Sequence, residues 1–159
     1  MSLMPLPAGT RIRRASADEW QNVATALIAA RRAAVPSVPP SVHSDDDVGI
    51  WVRDVLMVTR QVWVVDSGRG IVAVMALTDG WIDQLYVDAA WTGRGLGSAL
   101  VRHAKAVSAG RLDLWTFASN AGAQRFYERH GFSEVDRTDG DNEEGEPDIH
   151  YRWSRSEPR

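Results

Sequence analysis

Six consecutive residues carry the chain's clearest chemical signal: Gly93-Arg94-Gly95-Leu96-Gly97-Ser98. They follow a run that reads as a strand, Trp81 to Val87, and they open an amphipathic segment. There Leu96, Ala99, Leu100, His103, Ala104 and Val107 recur at helical spacing. Glycines without a Cβ let backbone N–H groups converge on an anion, and the helix adds four unpaired donors and a positive dipole end. Each anionic charge placed there gains about 0.3–1 kcal/mol. A pyrophosphate matches such a cradle, with Arg94 as a further cation. The same glycines also suit a turn that holds no ligand. Two other phosphate patterns fail: a Walker loop ends in Gly-Lys-Ser/Thr, and no lysine is present here. The dinucleotide fingerprint needs Gly-x-Gly-x-x-Gly in a tight strand-to-helix turn, whereas these glycines alternate and Asp88 to Thr92 intervene.

The elements that must position this turn are those of one ordinary domain. A chain of 159 residues, 44% hydrophobic and 25% charged, builds a sizeable core without staples. With no cysteine, disulfides, thiolate-bound metals and a thiol nucleophile are excluded. The net charge of −3 gives no global basic field for nucleic acid. No apolar run reaches the roughly 20 residues that span a bilayer. Met1-Ser2-Leu3-Met4-Pro5 lacks the pattern of a signal peptide, so a cytoplasmic setting is expected. Of 18 basic residues, all but Lys105 are arginine, which reflects genomic base composition, as in a bacterial source.

Along the chain, Thr10 to Arg14 reads as a short strand, and Ser16 with Glu19 as a capping box for a helix over about 17–32. Three prolines between Val35 and Ser41 exclude regular structure. Ser44, followed by Asp45, Asp46 and Asp47, caps a second helix whose expected buried stripe is Val48, Trp51, Val52, Val55 and Leu56. Strands are expected at 61–66, 71–78, 81–87 and 111–117, with a helix through Ala123, Phe126, Tyr127 and His130. A terminal strand pair, 132–137 and 149–153, encloses an acidic loop, and Ser154 to Arg159 reads as an unstructured tail. The order β-α-α-β-β-β-α-β-α-β-β predicts a mixed sheet in a single domain over 1–159, with its core at about 10–153.

Two blocks together resemble a known family. Leu85-Tyr86-Val87-Asp88-Ala89-Ala90-Trp91-Thr92-Gly93-Arg94-Gly95-Leu96-Gly97-Ser98-Ala99-Leu100 is similar to the acyl-CoA-binding strand, loop and helix of the GCN5-related N-acetyltransferases (GNAT). Asn120 to Phe132, with Phe126-Tyr127 and Gly131-Phe132, is similar to that family's second block, at its usual separation. One departure stands out: Thr92 occupies the place of the usual Gln or Arg, which removes one side-chain donor but leaves the backbone cradle.

The resemblance implies an α+β GNAT fold: a mixed, mostly antiparallel sheet of six to seven strands, splayed between strands 4 and 5, with about four helices. It implies acetyl-CoA as cosubstrate, its pantetheine arm along Leu85, Tyr86 and Val87 and its pyrophosphate on Thr92, Gly93, Arg94, Gly95, Leu96, Gly97 and Ser98. Asn120 matches a position that contacts the cofactor arm, and it also suits a helix N-cap. Tyr127 matches the general acid that protonates the departing thiolate. Its alternative is an aromatic beside core Phe126. Acetyl transfer would go directly to a primary amine of a small molecule or peptide. The alternative is a non-catalytic acyl-CoA sensor of the same fold. The family's frequent pairing through its C-terminal strands allows a homodimer.

For a general base, Asp83 alternates with Leu85 and Val87, which predicts one shared strand face. A solvent-facing carboxylate is the equal alternative, and His43 and His150 stand in reserve. His103 and His130 have no second ligand nearby, so no metal is expected. Glu134 to Asp148 contains eight acids and one base, leaving 13 acids against 17 bases elsewhere. That loop reads either as a funnel for a cationic amine or as a solvated hairpin. Trp51, Trp81, Arg31 and Arg32 are further residues of acceptor interest, with Trp51 expected in the core and both arginines facing solvent.

Overall fold

Strands β2 (Gln61–Asp66) and β3 (Ile71–Thr78) are apolar on both faces, so both must be covered. On one face Val62, Val64, Val74 and Ala76 pack with Val23, Leu27, Val52 and Leu56. On the other, Val65, Ala73, Met75 and Leu77 pack with Leu96, Leu100, Val101 and Ala104. The computed structural model describes residues 5–156. Met1–Met4 and the tail's last three residues, 157–159, lie outside the described residues, whereas Ser154 ends a strand and the Arg155 N–H donates to Gly110 O at 2.7 Å.

The first face is covered by α1 (Trp20–Ala33) and by α2 (Asp45–Trp51) with its continuation through a π-helical turn, Val52–Leu56, and α3 (Met57–Thr59). The second is covered by α4 (Leu96–Val107), with α5 (Ala121–Arg129) beside it. The remaining strands are β1 (Arg11–Arg14), β4 (Trp81–Val87), β5 (Arg111–Phe117), β6 (Ser133–Thr138) and β7 (Asp148–Ser154). They form one seven-stranded sheet, β1-β2-β3-β4-β5-β7-β6, antiparallel except at β4–β5. This is the mixed α+β GNAT fold expected from the sequence, with four helical rods.

β4 and β5 share a single register pair, Trp81 with Asp113, fastened by Asp113 N–H donating to Gly80 O at 2.8 Å. Beyond it the strands separate, so the edge of β4 from Leu85 to Val87 faces a splay rather than a partner. β4 also carries a bulge: Gln84 pairs with Ala76 and Ile82 with Leu77, so Asp83 is the extra residue. Ile82, Leu85 and Val87 consequently contact the same core, and the face that alternation assigned to Asp83 is taken by Ile82.

Two stripes are corrected. Val52 and Leu56 are fully buried, but Val55 is 36% exposed. The π turn widens the helix there and ends the 3.6-residue repeat on which that stripe rested. Val107, in the last turn of α4, is also exposed.

The capping box forms as expected. Glu19 accepts from Ser16 N–H and from both terminal nitrogens of Arg13, whose Nε bonds Asp66. Hydrogen bonds from Arg13, then from Ser16, hold the Glu19 carboxyl down at about 2. A carboxyl more acidic in the folded than the unfolded chain stabilises fully above its unfolded value, and less as pH falls through 2. Glu19→Ala should therefore cost about 1 kcal/mol near neutral pH. Urea unfolding should show that difference shrinking steadily from about pH 5 downwards.

Candidate active site

The glycine turn lies between β4 and α4, where the sequence placed it. Asp88 caps a 3₁₀ turn, Ala89–Trp91, by accepting from Ala90 N–H at 2.8 Å. The chain then turns through Gly93 (φ +76°) and Gly95 (φ +83°), left-handed conformations that favour glycine. Gly95 is the N-cap of α4, and no side chain caps that helix, so its first N–H groups remain available. A Cβ on Gly93 would meet nothing within 4 Å, so the turn is open on that side. The Arg94 guanidinium lies over the Trp91 ring, 4.8 Å from its centroid, which keeps a cation beside the cradle. Thr92 turns its hydroxyl back to Ala89 O at 3.0 Å and so supplies no side-chain donor.

α5 is held close to this turn. A Cβ on Gly97 would stand 3.2 Å from Phe126 Cζ and 3.9 Å from Val87 Cγ2. Ser98 Oγ bonds His130 Nε2 at 2.9 Å, leaving the Ser98 backbone for an anion. His130 is held below its usual pKa, chiefly by burial and then by Lys105, Arg102 and Arg129. Asn120 Oδ1 accepts from Ala123 N–H at 3.1 Å, which makes it the N-cap of α5. Its cap role thus occupies the oxygen only.

Tyr127 sits on the buried face of α5, 8% exposed, with its ring 5.1 Å from Phe126 and 5.5 Å from Phe132. Leu85 and Val87 pack against the same core. Burial, then the neighbouring Tyr86, pushes its hydroxyl pKa well above the usual value. The group therefore stays protonated across the ordinary pH range. Tyr86, on the opposite face of β4, is likewise pushed up by burial.

Asp83 lies elsewhere. In the bulge it accepts from Thr78 Oγ1 and pairs with Arg60 at 3.4 Å, which ties it to the β3–β4 turn. His150 is also engaged: its Nε2 is 2.7 Å from Asp113 Oδ1, and its ring lies between Trp81 (5.1 Å) and Trp115 (5.0 Å). Asp113 is 1% exposed. Burial opposes its charge, but hydrogen bonds from Arg111, Arg152 and His150 hold its carboxyl below the usual range. This cluster secures the one point where β4 meets β5. Asp113→Asn should cost about 3 kcal/mol, the low end for a broken buried pair because Arg111 and Arg152 can reach water. Thermal unfolding of the variant against the parent checks it.

On the other side of the sheet a cavity of about 610 Å³ opens between α1, the proline-rich loop and α2. Leu27, Val48 and Trp51 give it apolar walls, and Gln84 of β4 forms part of its lining. Trp51 thus both packs on the core and faces the cavity. The β6–β7 loop closes over it. Glu144 pairs with Arg31 at 2.9 Å, with side chains 9% and 20% exposed, and Glu143 pairs with His43 at 2.8 Å. Arg31 therefore does not face solvent as expected. Arg32 does, paired with Asp45. The acidic loop is partly paired: besides these two contacts, Glu134 bonds Arg137. Pairings across about a hundred residues have no local sequence signal.

Among the described residues, no group of three or more His, Asp or Glu is placed to hold a metal ion, and no helix is long and apolar enough to cross a membrane.

The splayed β4–β5 pair and the open glycine turn can be set beside what comparison with known proteins shows. Residues 59–134, just under half of the chain, match the family model described as Acetyltransferase (GNAT) domain. No curated protein matches the chain. Among solved structures, the chain is similar to a GCN5-related N-acetyltransferase from Rhodopseudomonas palustris (19% identity, TM-score 0.72, covering 97% of this chain and 99% of that one). It is also similar to the PaiA N-acetyltransferase of Thermoplasma acidophilum in complex with coenzyme A (14%, 0.71, 91% and 98%). The apo form of YjaB from Escherichia coli aligns too (22%, 0.68, 92% and 99%). Matching region and shared fold together establish the resemblance to the GCN5-related N-acetyltransferases.

Proposed function

We propose that the protein is an acetyl-CoA-dependent N-acetyltransferase that acylates a primary amine directly, within a ternary complex. The observation that carries this reading is the single register pair of β4 and β5, which leaves the Leu85–Val87 edge open just before the glycine cradle. That edge can bond an extended pantetheine arm as an added strand would. The cradle fits the pyrophosphate through the backbone of Gly93, Arg94, Gly95, Leu96, Gly97 and Ser98, with Thr92 at its entrance.

The amine nitrogen attacks the thioester carbonyl, the N–C bond forms and the C–S bond breaks. Backbone N–H groups on the open edge stabilise the developing oxyanion. Tyr127 gives its proton to the departing sulfur, and the proton lost by the amine restores it through water. An acceptor entering as an ammonium thus releases one net proton. Asp83, held by Thr78 and Arg60, can serve as base only through water, and His43 on the rim of the cavity is better placed than His150. The alternative, a sensor that binds acyl-CoA without transfer, predicts binding but no amine-dependent thiol release. Measuring that release with an amine panel separates the two.

A further inference from the structure

Arg31, Arg32 and several acids gather at the cavity between α1 and α2. Of the lining acids, Glu143 is bonded by His43 and Asp45 by Arg32, and Asp47 has no side-chain partner among the described residues; Glu144, from the loop above, pairs with Arg31.

Arg31 differs from Arg32 and His43. Its side chain is four-fifths buried, and of its three nitrogens only Nη2 has a protein acceptor, Glu144. Nε is buried with no hydrogen-bond partner. A buried donor without an acceptor is costly, and a guanidinium fork with spare donors is shaped for a carboxylate. Leu27, Val35, Val48 and Trp51 line the same cavity with apolar surface.

The position suits the chemistry as well. Gln84, on the cavity wall, directly precedes the open edge of β4. A carboxylate held by Arg31 keeps an amine one carbon away inside the cavity that Gln84 helps to line.

We propose that the acceptor is a free α-amino acid with an apolar side chain, its carboxylate on Arg31 and its side chain against Leu27, Val48 and Trp51. This rests on the acetyl-transfer reading. The α-amine attacks the thioester, an N-acetyl amino acid and free CoA leave, and one proton is released to solvent.

The test compares leucine, leucinamide, a leucine-initiated dipeptide and spermidine as acceptors, by thiol release and by calorimetry on acetyl-CoA-saturated protein. Leucine should exceed leucinamide by at least tenfold in kcat/KM, through KM. The dipeptide and spermidine should resemble the amide. In Arg31→Gln the leucine-to-leucinamide ratio should fall towards one, and in Arg31→Lys to an intermediate value. Glu144→Gln, which keeps the guanidinium and removes its partner, should retain the preference and guards against a trivial loss of loop structure. Amide or spermidine used as well as leucine, or an undiminished ratio in Arg31→Gln, overturns the proposal while leaving acetyl transfer intact. Failure of acetyl-CoA itself to bind overturns both.

Discussion

Tyr127→Phe should lower turnover by about 10²–10⁴-fold, the range for a positioned general acid, with little change in acetyl-CoA affinity. The substitution removes one oxygen from a ring whose packing against Phe126 and Phe132 stays in place, so the fold should survive. The Tyr127 hydroxyl is pushed above its ordinary value by burial, so its proton is not lost in the working range. The pH–rate profile of the parent should therefore rise as the amine deprotonates and show no alkaline fall below about pH 10, the unperturbed tyrosine value. A pH profile and single-turnover rates of the two proteins check both statements. A merely structural Tyr127 would lower stability and leave the rate per folded molecule unchanged.

The second large effect is expected at Gly95. It caps α4 at φ +83°, where a β-branched side chain is strained. Valine there would force the cap out of the left-handed region and turn the first N–H groups of α4 away from a common point. The left-handed conformation alone costs a non-glycine residue about 1–2 kcal/mol. Losing the aligned donors adds to this, so the Kd for acetyl-CoA should rise by at least about tenfold, the equivalent of 1.4 kcal/mol. Calorimetric titration of Gly95→Val measures it, with circular dichroism to confirm that α4 persists. An unchanged Kd would mean that the pyrophosphate does not sit on this turn.

Much of the fold was readable locally. Capping residues at Ser16 and Ser44, the Asp79-Gly80 hairpin and the amphipathic α4 each follow from neighbours in sequence, and the glycine spacing placed the cradle. What escaped was whatever departs from a regular period or joins distant segments. The bulge at Asp83 inverts a strand face, and alternation cannot register one extra residue. The π turn at Val52–Leu56 does the same to a helical stripe and exposes Val55. Arg31 with Glu144, and Asp113 with His150 and Arg152, meet only after the sheet has assembled, so their burial and charge balance have no pattern in the chain. The acidic loop illustrates the consequence. Its composition suggests a funnel for cations, whereas its contacts with Arg31 and His43 clasp it over the cavity between α1 and α2.

Acetyl transfer from thioester to amine at the β4–β5 splay is open to direct measurement. Its most direct test is free thiol released from acetyl-CoA by the purified protein, with and without a mixture of primary amines, together with detection of the N-acetylated product. Release should depend on the amine, match product mole for mole and be strongly reduced in Tyr127→Phe. Acetyl-CoA that binds but yields the same thiol with and without amines, with no acetylated product, would contradict acetyl transfer.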